Sequence, residues 1–381
     1  MKILDNILDI YPKETTFYFE KGNYELTKQL NITRCGVRFI GLTGDAKDVH
    51  IHQKTVGENG INIRSNNIRI EYISVHVEEG EGVCISHSDS DWTTIENCHF
   101  YGSDTNFTVY FAGPSLQAGD ATINGFLNDN LDMHNEFNNN VIYTKWNGDS
   151  ISFSLQKFGS IRDNIIHGGK FAIYMVKNCV VTHNAVYNSS AHGIICSLPS
   201  HDLFISENFI KNSVSASINI RLQEEHGEYD SENHNIIISN NTICDSKYIG
   251  IEVTNANDIT INDNRINATE QFGIYILKSS EINVEKNSIV QYQRGVHIDI
   301  ASNAIQIKNN LLYSVFPKFS EHSIVLEDGV SNCNINGNIV SGPHISSPIK
   351  NIGTDNIIEH NNIEEYHSHL DEFIHITRSR K

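Results

Sequence analysis

Five residues between positions 149 and 221 have the types that proton chemistry needs: Asp149, Lys170, Tyr174, His192 and Arg221. Taking a weakly acidic proton from beside a carboxylate requires a cation to neutralise that carboxylate, a base, and an acid that returns a proton. Arg221 or Lys170 can supply the cation, His192 or a lysine the base, and Tyr174 the acid. β-Elimination and C5-epimerisation of a uronic acid both have this requirement. The catalytic candidates are therefore Lys170, Tyr174, His192 and Arg221. Asp149, Ser152, Ser154, Lys177, Ser197 and Asn219 are the candidate substrate-binding residues around them.

The local charge agrees with an anionic ligand. Residues 141–221 hold Lys145, Lys157, Arg162, Lys170, Lys177, Lys211 and Arg221 against Asp149, Asp163, Asp202 and Glu207, a net +3 inside a chain of −18. A basic island in an acidic protein is the footprint expected of an anion site. The overall negative charge disfavours nucleic acid as a partner, because that partner demands a basic surface.

The elements that hold these residues repeat. An I-x-x-N-x-I beat recurs at Asn140, Asn164, Asn184, Asn208, Asn241, Asn264, Asn287, Asn310, Asn338 and Asn361. Successive spacings are 24, 20, 24, 33, 23, 23, 23, 28 and 23. Ile40, Glu71 and Cys98 carry the same beat without Asn. Between these points lies a second burst of G-I-x-I type, such as GIEV at 250–253 and GIYI at 273–276. A period near 23 with short strands is too short for a propeller blade and lacks the leucine pattern of leucine-rich repeats. It suits one coil of a parallel β-helix, in which each coil buries its inward residues only by stacking on its neighbours. Six prolines in 381 residues fit a chain that is mostly paired strand. The repeated Asn reads as a structural ladder, its amide bonding to the next coil and its backbone tolerating a tight turn.

The I-x-x-N-x-I and G-I-x-I beats resemble the right-handed parallel β-helix superfamily of pectate lyases, polygalacturonases and alginate C5-epimerases, over residues 17–363. The resemblance implies an all-β, single-stranded right-handed solenoid of about 12–13 coils. It also implies that the G-I-x-I strand faces a substrate groove. Strand alternation then turns Ser152, Ser154, Tyr174, Ser197, Asn219 and Arg221 outward. Insertions at 114–136 and 222–235 would wall the coils whose groove strands begin near 150, 172 and 193. A trough of that span is on the order of 15–20 Å, the length of a few sugar units.

The segment 180–210 is similar to the alginate epimerases, with His192-Gly193 in the place of their His-Gly. Their Asp-Pro-His-Asp-type element is absent, since the matching strand reads SISFSLQ at 150–156, and Lys170 stands where they carry an acid. The polygalacturonase comparison places NGD 147–149, AHGI 191–194 and IRL 220–222 on three of their motifs. Their central Asp pair would fall at Lys170-Phe171, which leaves Asp149 without the opposed carboxylate that hydrolysis needs. Two further readings therefore stand beside the lyase or epimerase. One is a non-catalytic glycan-binding or structural β-helix. The other is a hydrolase using Asp132, Glu224 or Glu225 from the wall loops.

The chain reads as a single domain over 1–381: an N-terminal cap at 1–16 with helix-like spacing over 3–10, coils over 17–363, and a C-terminal cap at 364–381. Seven scattered cysteines without metal spacing read as free, mostly buried thiols of a reducing compartment. No metal-ligand set is expected, Ca²⁺ being the one cofactor that the acidic spacing of HSDSDW at 87–92 admits. His367, His369 and His375 match no standard zinc pattern. The expected partner is an anionic polysaccharide rather than a nucleic acid or a membrane, and self-association is left open. With no signal-like or membrane-length apolar run, the default location is cytoplasmic.

Overall fold

The computed structural model describes residues 2–3, 11–77, 80, 82–104, 106–114, 121–145, 148–222, 232–314 and 320–364. Three parallel sheets of 15, 13 and 16 strands run along one axis. Each coil gives one strand to each sheet and pairs with the equivalent strands one coil before and after. This is the right-handed parallel β-helix the repeat predicts, with about 13 turns.

Register explains the interior. Ile151, Phe171, Ile194, Ile218, Ile251, Ile274, Val296 and Ile324 face one another across successive coils of the 13-stranded sheet. All eight are fully buried. Burying each such side chain contributes roughly 1.5–3 kcal/mol, so the stacked column supplies much of the cohesion between coils.

The Asn residues form the ladder. Asn164 donates from its amide nitrogen to Asn184 Oδ1 at 2.9 Å and to Phe137 O at 2.9 Å, while its Oδ1 accepts from Asn140 N at 2.9 Å. The pattern continues coil by coil to Asn338 and Asn361. The left-handed conformation belongs not to the ladder Asn but to the residue before it, with φ from 52° at Asn139 to 68° at Gly337. The Asn side chain thus satisfies the backbone that this turn frees from the sheet. The earliest coils correct the sequence alignment. Thr94–Glu96 pairs in register with Arg69–Glu71, so Ile73 rather than Glu71 lines up with Cys98. Ile40 pairs with Glu71 and shares its displacement.

The glycines that open the groove strands are required by close packing. A Cβ at Gly273 would meet the Gly295 carbonyl oxygen at 2.6 Å and collide with the Ile289 side chain. The chain turns here from one sheet to the next directly over an inward isoleucine.

At the N-terminus, Lys2–Ile3 is a strand paired with Tyr24 and Glu25, so Ile3 does not begin a helix. Residues 4–10 of the expected cap, and the C-terminal cap beyond residue 364, lie outside the described residues. The first insertion contains a short helix, Ala121–Leu127, where a loop was expected. No described helix is long and apolar enough to cross a membrane. All seven cysteines are free, and five of them are buried.

Candidate functional site

Four neighbouring strands of the 13-stranded sheet carry the sequence candidates: Asp149–Ser154, Lys170–Tyr174, Ile194–Cys196 and Ala216–Arg221. Asp149 lies opposite Lys170, and Ser154 opposite Tyr174. A middle outward row runs Ser152, Ala172, Ile195, Asn219 and Glu252. Arg221 ends its strand opposite Thr254.

These residues act on one another. The Lys170 ammonium is 3.0 Å from the Asp149 carboxylate. Burial pushes the Asp149 carboxyl up, while the charge of Lys170 and the Tyr174 hydroxyl pull it down. Burial, and then the Asp149 charge, raise the Tyr174 phenol, against a hydrogen bond with Ser197 and the pull of Arg221. His192 is lowered to about 4 by burial and by the positive charges of Arg221 and Lys170. Lys170, Tyr174, His192, Arg221, Asp149 and Ser197 therefore form one electrostatic cluster. Ser152 and Ser154 lie beside it, their hydroxyls 3.4 Å apart. Asn219 donates to Glu252, a residue whose carboxyl is raised by burial and is opposed by Asn219 and Arg221.

Several polar atoms here are buried and lack a hydrogen-bond partner among the described residues: His192 Nδ1, Arg221 Nε, Asn219 Oδ1 and Thr254 Oγ1. Unpaired buried polar atoms are costly, so this face of the sheet carries hydrogen-bonding capacity that its own side chains do not meet. A second outward patch on the same sheet lacks this property. There Tyr275 donates to Asp299 at 2.7 Å, Arg294 pairs with Glu321 at 2.7 Å, and Lys350 pairs with Glu327 at 3.1 Å.

Lys177 does not join the cluster. Its strand, Lys177–Thr182, belongs to the 16-stranded sheet. Its ammonium meets Phe126 O at 2.8 Å and Asp129 at 3.2 Å, and sits 4.6 Å from the Phe126 ring centroid. It ties down the wall helix instead. That helix packs through Phe126 on Leu131, Leu155 and Met175, with Tyr174 and Leu198 at the edge of the same apolar cluster. The first insertion thus borders Tyr174, as a wall should.

The basic island is dispersed over several faces. Lys157 and Lys177 share Asp129, Arg162 approaches Glu136, and Lys211 approaches Asp245. Arg221 has no ion-pair partner among the described residues. Of the carboxylates considered for hydrolysis, Asp132 is buried against His87, 3.7 Å away, and burial pushes it up to about 7. Glu224 and Glu225, with residues 223–231 of the second insertion, lie outside the described residues, as does Asn147. In the HSDSDW segment, Asp91 accepts a hydrogen bond from Met133 N at 2.7 Å, and His87 points into the coil interior.

Sequence reasoning missed one cluster. His50, His52 and His76 gather on the outer face of the 15-stranded sheet, away from the groove. The signal was present as H-x-H in VHIHQ at 49–53, followed one coil later by SVHV at 74–77.

A family described as "Right handed beta helix region" matches residues 206–364, and one described as "Periplasmic copper-binding protein (NosD)" matches residues 115–283. Among solved structures, the A-module of the Azotobacter vinelandii mannuronan C-5 epimerase AlgE6 is 13% identical with a TM-score of 0.64, covering 93% of this chain and 91% of that one. A GH87 alpha-1,3-glucanase from Streptomyces thermodiastaticus is 12% identical with a TM-score of 0.54, covering 88% and 64%. The Dettilon tailspike protein is 13% identical with a TM-score of 0.52, covering 87% and 61%. No curated protein matches the sequence. Within the copper-named span no described group of three His, Cys, Asp or Glu donors gathers, because the His50, His52 and His76 cluster lies before it.

Proposed function

We propose, from the premise that the chain is a member of the right-handed parallel β-helix superfamily, that it acts on an acidic polysaccharide by abstracting the uronate C5 proton. The observation that carries this reading is the set of unpaired polar atoms at His192, Arg221 and Asn219 beside the partly buried Tyr174. Arg221, free of an ion-pair partner among the described residues, neutralises the sugar carboxylate and so makes the C5 proton more acidic. His192, held neutral, accepts that proton. Tyr174, held protonated, donates either to the departing glycosidic oxygen, giving elimination, or to the opposite face of C5, giving epimerisation. Lys170 is paired with Asp149 and positions it. The likeness to a mannuronan C-5 epimerase, an alpha-1,3-glucanase and a tailspike protein supports a glycan as the ligand.

A second reading is a glycan-binding β-helix without catalysis. It is favoured by Ala172 and Ile195, which put no polar group in the middle row of the two central coils. The deciding experiment is an ultraviolet time course for unsaturated uronate on alginate, pectate and hyaluronan, with and without Ca²⁺. A rise abolished by Tyr174→Phe and Arg221→Ala supports elimination. A flat trace with a changed sugar-proton NMR spectrum supports epimerisation. Binding with neither change sinks the catalytic reading.

A further inference from the structure

We propose that His50, His52 and His76 form a binding site for a single divalent transition-metal ion of the Zn²⁺ type. The strand Val49–Gln53 alternates buried and part-exposed residues, which puts His50 and His52 on the same outward face. The next coil places His76 directly beside His52 in register. Two histidines two residues apart on one strand, with a third on the neighbouring strand, can converge three imidazoles on one point. Their donor nitrogens all lie within 4.8 Å of one another.

One distance, a ring-to-ring hydrogen bond in the metal-free chain, also matches the span of a shared ion. His50 Nδ1 and His76 Nε2 are 3.3 Å apart. A tetrahedral ion with metal–nitrogen bonds of about 2.0–2.1 Å holds its ligand nitrogens about 3.3–3.4 Å apart. From outside the cluster, His76 stacks on Tyr101 at 4.2 Å with planes 5° apart. Within it, His52 stacks on His76 at 4.5 Å with planes 18° apart, so binding one ion requires the His52 ring to turn until both ring planes contain the metal. A donor set of three imidazoles suits Zn²⁺, Co²⁺ or Cu²⁺, whereas Ca²⁺ takes oxygen ligands. Three protein ligands leave one position open to water or another donor.

The test uses the full chain, stripped of metal and titrated with Zn²⁺ by calorimetry and with Co²⁺ by visible absorption. Because His367, His369 and His375 are a competing donor set, a His367→Ala/His369→Ala variant is run in parallel. Wild type and that variant should take up about one equivalent with the intense bands of tetrahedral Co²⁺. His50→Ala/His52→Ala should lose both signals. His76→Phe, which keeps a ring in the stack but removes the donor, should lose them too while keeping the wild-type circular dichroism spectrum. Undiminished uptake by either cluster variant, loss in the tail variant alone, or no uptake by wild type (a ring stack only) would overturn the proposal.

Discussion

Asp149 and Lys170 face each other across neighbouring strands, and a carboxylate that is only 2% exposed meets its ammonium partner at 3.0 Å. Removing the partner leaves a buried charge. Lys170→Met should therefore destabilise the fold by about 1–3 kcal/mol, less than a fully buried pair because Lys170 is partly exposed. Asp149→Asn combined with Lys170→Met should recover part of that loss in urea denaturation. Equal stability of the single and double variants would show that the pair is not coupled.

The pH dependence follows from the histidines. His192, His201 and His297 are each lowered to about 4 by burial first and by neighbouring positive charge second. The unfolded chain takes up their protons near the ordinary value of about 6.5, which the folded chain refuses until about pH 4. Their contribution is thus fully present above 6.5 and is lost as pH falls toward 4. The thermal midpoint should drop across that window, and His201→Phe, which preserves stacking on His234, should flatten the slope. In the catalytic reading, activity should persist below the usual histidine limb and fail only near pH 4. Its alkaline limb should lie above that of an ordinary phenol, because Tyr174 is raised.

The ladder predicts a position-dependent cost. Asn264 accepts from Asn241 N at 2.9 Å and donates to Ile238 O at 2.9 Å, all of it buried. Asn264→Ala strands those backbone groups, so a loss of about 1–3 kcal/mol is expected from the chemical-denaturation midpoint. Asn361→Ala, at the half-buried last rung, should cost less.

The wall offers a kinetic test. Lys177→Ala removes the contacts to Phe126 O and Asp129 that fasten the Ala121–Leu127 helix. Protease cleavage within 114–136 should accelerate, and KM should rise with little change in kcat. A large fall in kcat would mean that Lys177 reaches the reacting sugar after all.

Two periodicities are legible in the sequence alone. The near-23-residue beat and the alternation of each strand determined the solenoid, the inward isoleucines, the Asn ladder and the outward direction of Tyr174, Asn219 and Arg221. These are local properties, since side chains on a strand alternate whatever lies beyond it. What only the tertiary structure decided depends on coils of unequal length, 20 to 42 residues, settling into register. That register sends Lys177 to the wall helix while Lys170 stays with Asp149. It places the left-handed turn one residue before each Asn. It leaves His192 and Arg221 with unpaired atoms, and it carries His76 alongside His52. Contacts between coils are fixed by stacking, and stacking is a property of neighbours far apart in the chain.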